Sequence, residues 1–318
     1  MGIKIKVSRR KKSRPRKRKK RAEKKGMEPK NVVKTEIPGL DQLFLSGGLV
    51  KGSSILVSGG PGTCKTIFCL QTLYNAASKG HDCVYLTLEE APSRLKSHME
   101  DFGFNVKETK RDENAIYLRA NKGRIAIKRL EPIGIARSVE AMLEKASGRL
   151  PVDINIVLEL IPPGFNPHML ALDSISAMET AFSGRIEQYR IYIEQLFRYF
   201  EKLNTTSFLV TETVEAPYKY SKTGVEEFLA DGIVAFYYFR AGQSRLRGVE
   251  VVKMRGNSHS SFVAPLTISE HGLVVSLEGP GAHISAKKAE FSQTLKARGT
   301  KTGTKKANFF EVKSPRES

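Results

Sequence analysis

The stretch "LVSGGPGTCKTIF", Leu56 to Phe68, decides the fold. It carries the spacing of a phosphate-binding loop, G-x-x-x-x-G-K-[ST], with one letter changed. Gly59 opens it, Gly60, Pro61, Gly62 and Thr63 fill it, and Lys65 and Thr66 close it. Cys64 stands where the second glycine belongs. The residues before it, Ser53–Gly59, are apolar and β-branched and predict a buried strand. Those after it, Lys65–Lys79, lack Gly and Pro and predict a helix ending at Gly80. Strand, glycine loop and helix in that order form the context the motif requires. Successive N–H groups at the helix start make an anion cradle, and the helix dipole favours phosphate there. Lys65 is placed to neutralise terminal phosphates and Thr66 to bind Mg²⁺.

Cys64 raises a question of backbone and of chemistry. If that position needs a positive φ, a side chain there costs about 1 kcal/mol or more. If φ is negative, cysteine fits with little loss. A thiol at a helix N-terminus beside a lysine is expected to have a lowered pKa, which opens a redox reading.

Outward from the loop, strands and helices alternate. Asp82–Glu90 and His168–Ser174 predict strands, and a short helix runs from Pro92 to about Asp101. Gly134–Ser147 and Arg185–Leu203 predict amphipathic helices, the second through Ile186, Ile193, Leu196, Phe197, Phe200 and Leu203. Ser207–Thr213 is again a strand. Gly232–Phe239 and Gly248–Met254 then follow without a helix between them, with "LTIS" and "LVVS" behind, and predict antiparallel strands. Residues 110–132 fit neither period. The pattern is α/β with a mixed sheet.

Three carboxylates sit where such a sheet presents its ligand. Asp173 ends the apolar "LALDS" run, where phosphoryl chemistry places an acid near Mg²⁺; capping the next turn is the plainer role. Glu89 and Glu90 end the strand after the loop helix. They orient and deprotonate an attacking water, or they cap the helix at Pro92.

The 318 residues carry a net charge of +20, unevenly spread. Residues 1–30 hold 16 Lys/Arg against two Glu, residues 279–318 hold nine against three, and residues 31–278 balance at 28 each. A neutral core, 31–278, is thus flanked by two basic tails expected to stay unfolded. The tails are solvated extensions, or arms for nucleic acid or an acidic partner. Phe309-Phe310 in the second reads as part of a disordered remnant, or as a docking spot. No apolar run reaches the length of a membrane span, and the N-terminus lacks the apolar stretch of a signal peptide. Cys64, Cys69 and Cys83 lack metal spacing and predict free thiols in a reducing cytoplasm.

Taken in order, "IPGLDQLFLSGGLVKGSSILVSGGPGTCKT", the "LEE" strand end, Asp173, "GVEEFLADG" and "KMRGNSH" resemble the KaiC-like branch of the RecA superfamily. The likeness covers roughly Thr35 to Glu278. It is greatest to single-domain archaeal-type members. The resemblance implies a RecA-like P-loop NTPase core: a mostly parallel twisted sheet flanked by helices, with antiparallel C-terminal strands. It implies an ATPase using ATP and Mg²⁺ that assembles with itself as a ring, often a hexamer, with ATP between subunits. Lys65 and Thr66 fall on the loop lysine and the Mg²⁺-binding hydroxyl, Glu89 and Glu90 on the catalytic acids, and Asp173 on the second Mg²⁺-associated acid. Lys253 and Arg255 fall on cations that reach the neighbour's ATP, with Asn257 and His259 on nearby nucleotide-contacting positions. Thr211–Thr213 falls beside the γ-phosphate. A regulatory or signalling ATPase follows; a recombinase-type DNA-binding ATPase and a non-hydrolysing ATP-dependent scaffold are the alternatives, and self-phosphorylation stays open. Cys64 and the residues 120–168 depart from the family pattern.

Overall fold

The computed structural model describes residues 31–131, 160–182, 186–213, 218–241 and 243–277. The expected helix over 134–147 and both basic tails lie outside the described residues. Two short antiparallel strands, β1 (Val32–Val33) and β2 (Leu49–Val50), precede the loop strand β3 (Ser54–Gly59). Every residue of β3 is buried, as expected for a strand covered on both faces. Helix α1 (Lys65–Ser78) follows, then β4 (Asp82–Thr87) and α2 (Pro92–Asp101). Three strands come next: β5 (Lys107–Arg111), β6 (Ala115–Ala120) and β7 (Gly123–Arg129). Then come β8 (Met169–Asp173), helices α3 (Ile175–Ala181) and α4 (Ile186–Leu203), and β9 (Thr206–Glu212). The short helix α5 (Val225–Leu229) leads to β10 (Gly232–Ala241), β11 (Ser244–Met254), β12 (Ala264–Ser269) and β13 (Gly272–Val275).

Among the described residues β1 and β2 form a small sheet of their own, and β3 to β13 form one sheet in the order β13-β12-β11-β10-β3-β9-β8-β4-β7-β6-β5. Its middle, β10 to β7, is parallel; β11 to β13 run antiparallel as expected. The antiparallel β5–β6–β7 edge is the part the sequence did not reveal. β5 reads "KETKR", with no apolar residue, so no period marks it. It stands at the sheet edge, where lysines discourage further pairing.

Two apolar layers cover the sheet. On one face α1 packs Phe68, Cys69 and Leu73 against Val57, Phe208 and Phe236. Phe68 meets Phe208 edge-on with ring centres 5.4 Å apart, an arrangement favoured by the ring quadrupoles. On the other face α4 presents Tyr189, Ile193, Leu196 and Phe200 to Leu56, Leu86 and Leu172. Ile186, expected on that buried stripe, is instead 60% exposed, because it is the first residue of the helix.

β3 and β4, joined by α1, are separated in the sheet by β9 and β8. This jump leaves a crevice at the strand carboxyl ends, where open α/β sheets bind ligands.

Candidate active site

Parallel register aligns four strand ends there. Gly59 pairs with Glu212, Thr87 with Asp173, and Asp173 with Val210. The loop leaves β3 at Gly59, where an added Cβ would meet the Phe236 carbonyl oxygen at 2.6 Å. Gly62 takes φ +71°, the left-handed region glycine tolerates. Cys64 takes φ +81° and ψ +22° as the residue before α1. The position is therefore one where glycine fits and cysteine is strained.

The site is a cavity of about 490 Å³ lined by the loop, Glu89, Glu90, Asp173, Ser174, Glu212 and Arg247, among others. Lys65 Nζ donates to the carbonyl oxygens of Gly59 and Gly60, each at 2.9 Å. Burial lowers the lysine's pKa, while Glu212, Asp173 and Glu89 pull it back up. A buried cation held by loop carbonyls, beside an open cavity, suits an incoming anion.

Thr66 Oγ1 donates to Asp173 Oδ2 at 2.8 Å, and Tyr85 Oη donates to the same oxygen at 2.6 Å. Burial raises the Asp173 pKa against these two hydroxyls. A hydroxyl and a carboxylate side by side, next to a phosphate cradle, fit Mg²⁺, a hard cation that takes few protein oxygens and completes its shell with water and phosphate.

The acid pair lies in the turn after β4. Thr87 Oγ1 accepts from both backbone nitrogens, Glu89 at 3.3 Å and Glu90 at 3.0 Å, and Leu88 N donates to Asp173 O at 2.8 Å. The two carboxylates then part. Glu89 Oε1 accepts from Ser174 Oγ at 2.5 Å, next to Asp173. Glu90 turns toward α2, with Arg94 Nε at 3.2 Å and His98 Nδ1 at 3.8 Å.

Lys253, Arg255, Asn257 and His259 are not brought to this cavity. Met254 pairs with Gly232, and Gly232 with Ile55, at the opposite end of β3 from the loop. Lys253 lies level with Leu56, so three residues of strand, roughly 10 Å, and two strand spacings separate it from Gly59, and Arg255 lies farther along. Lys253 Nζ donates to the Glu227 oxygen at 2.9 Å and to Ala230 O. Arg255 Nη2 donates to Phe228 O at 2.9 Å, with Nη1 3.3 Å from Asp231 Oδ1. The Asn257 amide is buried, donating to Gly48 O at 2.9 Å and to Ser46 Oγ. His259 Nδ1 lies 3.0 Å from Ser260 O. Thr211 Oγ1 is 3.2 Å from Ser176 Oγ, and Thr213 Oγ1 donates to Lys219 O at 3.0 Å.

Sequence reasoning passed over Tyr85, Ser174, Glu212 and Arg247. Tyr85 and Glu212 had a signal: a phenol inside an apolar strand, and an acid at a strand end beside β3. Arg247, whose Nε donates to Gly62 O at 3.2 Å, had none, since it sits in β11 far along the chain. The expected lowering of the Cys64 thiol pKa is reversed. Burial pushes it up, and Arg247 and Lys65 only partly offset that. Cys69 and Cys83 are also free, buried and raised by burial.

The comparisons with known proteins agree with this architecture. The chain is 32% identical over 243 residues to a UPF0273 protein of Thermotoga maritima, spanning 76% of this chain and 95% of that one. It is 31% identical over 254 residues to a UPF0273 protein of Aeropyrum pernix, spanning 76% and 92%. The circadian clock protein KaiC3 of Synechocystis is 30% identical over 250 residues, 76% of this chain but 45% of that longer one. A KaiC-like protein of Pyrococcus horikoshii superposes with a TM-score of 0.58 at 27% identity, covering 77% of this chain and 98% of its own. The family description "ATPase: KaiC" matches residues 33–279, which include every strand of the sheet and every residue of the cavity. With its phosphate loop, crevice and acids all inside that span, the chain belongs to the KaiC family of ATPases.

Proposed function

We propose that this protein hydrolyses Mg-ATP at sites completed between neighbouring copies in a homo-oligomeric ring. The observation that carries this reading is the convergence of Lys65, Thr66, Asp173 and Glu89 on one cavity at the strand carboxyl ends. The loop N–H groups and Lys65 hold the phosphates and offset their charge. Thr66 and Asp173 hold the cation. Mg²⁺ held by Thr66 and Asp173 would supply positive charge to offset the charge that develops on the phosphates. Glu89 orients the attacking water and accepts its proton, with Ser174 fixing its carboxylate. Glu90 is held by Arg94 and shapes the turn rather than taking the proton.

Lys253 and Arg255 act in trans in this reading. They sit too far from their own loop to reach it, and a head-to-tail contact brings one end of the sheet to the other end of the next copy. A cation supplied by a neighbour couples turnover to assembly, which suits a regulatory or signalling ATPase. Among the described residues no helix is long and apolar enough to cross a membrane. The three free thiols fit a reducing compartment such as the cytoplasm.

The test is single-turnover hydrolysis of Mg-ATP by the wild type and by Glu89→Gln, with molecular mass measured alongside. The reading expects a slow but measurable wild-type rate, a drop of roughly 10²- to 10⁴-fold in the variant, and retained ATP binding. Equal rates in the two proteins would remove Glu89 as the base.

A further inference from the structure

The unforeseen β5–β6–β7 edge carries a charge pattern that stability alone does not favour. Lys107 pairs with Arg119, and Arg119 pairs with Arg124, so three cations stand in one row across three strands. Like charges directly opposite one another on one face of a sheet destabilise it. Of the three, Arg124 has a carboxylate partner in Asp82. Arg119 Nη1 donates to the Lys122 oxygen at 3.2 Å. The next row places Lys110 opposite Tyr117, and Lys128 follows on the same face of β7. Lys110 in turn meets Asp112 at 2.9 Å. Among the described residues, Asp82 and Asp112 face the four cations Lys107, Lys110, Arg119 and Arg124.

Two aromatic rings stand among these charges. Tyr117 and Phe165 lie with ring centres 5.8 Å apart at 45°. Lys110 Nζ sits 5.0 Å from the Tyr117 centre, and the Arg124 guanidinium 4.4 Å from the Phe165 centre. Together with Thr109, Asp112, Leu118 and Pro163 they line a cavity of about 360 Å³. It shares no lining residue with the phosphate cavity.

We infer that this face binds single-stranded nucleic acid. The row Lys107–Arg119–Arg124 spans about 10 Å at the usual strand spacing, enough for consecutive phosphates. Tyr117 and Phe165 line the cleft, and a base stacking there would displace Lys110 and Arg124 from the ring faces toward the phosphates joined to it. Both rings also pack against the core, and an acidic protein segment would satisfy the cations without using the ring surface that lines the cleft. The inference is independent of the ATPase reading, because none of these residues lines that site.

The test uses the full chain, since its basic tails attract any polyanion and must be separated from this face. Binding of a fluorescent oligothymidylate of ~15 nucleotides, a length within the range single-strand binding folds cover, is compared with binding of inorganic polyphosphate, which has charge but no bases. Tyr117→Leu and Phe165→Leu are each expected to weaken the oligonucleotide roughly 5-fold or more and to leave polyphosphate unchanged. Lys107→Ser with Arg119→Ser is expected to weaken both ligands and to lower the salt dependence by about one. Two independent ring variants guard against one that fails to fold, and unchanged thermal melting identifies the sound one. Oligonucleotide affinity unchanged in the ring variants would assign all binding to the tails and overturn the inference. Equal weakening of both ligands would also overturn it, by leaving a polyanion or acidic-protein surface.

Discussion

Thr66 Oγ1 and Asp173 Oδ2 meet at 2.8 Å across 107 positions of sequence, one at the start of α1 and the other at the end of β8. The contact joins the phosphate loop to the acid that follows it, with Tyr85 donating to the same oxygen. Thr66→Val is expected to raise the Mg²⁺ concentration needed for half-maximal activity while leaving metal-free nucleotide binding nearly unchanged. A magnesium titration of ATP binding and turnover checks it. Unchanged magnesium dependence would separate Thr66 from the metal.

Asp173 carries a cost that the function explains. Burial raises its pKa, so folding favours the neutral carboxyl. The stability this contributes is fully present below the ordinary aspartate range and is lost as pH rises through the folded value. Asp173→Asn, which accepts the same two hydroxyl bonds without charge, is expected to melt higher than wild type at pH 8. The gap closes toward pH 4, and activity is lost throughout. Melting curves without nucleotide at both pH values check the sign.

Cys64 is held at φ +81°. A left-handed backbone costs an L-residue about 1–2 kcal/mol, partly offset by the extra freedom glycine has when unfolded. Cys64→Gly is therefore expected to raise stability by up to about 1 kcal/mol, with no loss of nucleotide affinity. A lower melting temperature would show that the thiol contributes packing that outweighs the strain. Because burial pushes the thiol's pKa up, its alkylation near pH 7 is expected to be slower than that of a free thiol and to quicken at alkaline pH.

At the far end of the sheet, His81 and His168 stack with ring centres 4.0 Å apart. Burial first, then His81 and Lys51, lowers the His168 pKa from the ordinary histidine range to about 4. A depressed histidine pKa contributes stability above the unfolded value that is lost as pH falls toward the folded one. Acid destabilisation between about pH 6.5 and 4 is expected, and His168→Phe should flatten it. Melting temperature measured across that window is the check.

The loop and the parallel core were legible because their signals are local. A strand buried on both faces is a continuous apolar run, and GGPG before Lys65-Thr66 marks the turn. Lys253 and Arg255 were legible only through resemblance, since no local period distinguishes them from a basic strand end. β5 was hidden because an edge strand needs no apolar face, and Arg247 because its approach to Gly62 depends on the order of strands, not on their sequence. The left-handed backbone at Cys64 was foreseen as an alternative, but only the loop's geometry decides it.

A site shared between copies is open to complementation. Lys65→Ala lacks the loop cation and Arg255→Ala lacks the trans cation, so each alone is expected to be inactive in ATP hydrolysis. Mixed in equal amounts and allowed to reassemble, a head-to-tail ring places an intact loop beside an intact Arg255 at roughly a quarter of its interfaces. Recovery of about that share of wild-type activity is expected. A mixture no more active than the separate variants, or an Arg255→Ala protein as active as wild type, would contradict it.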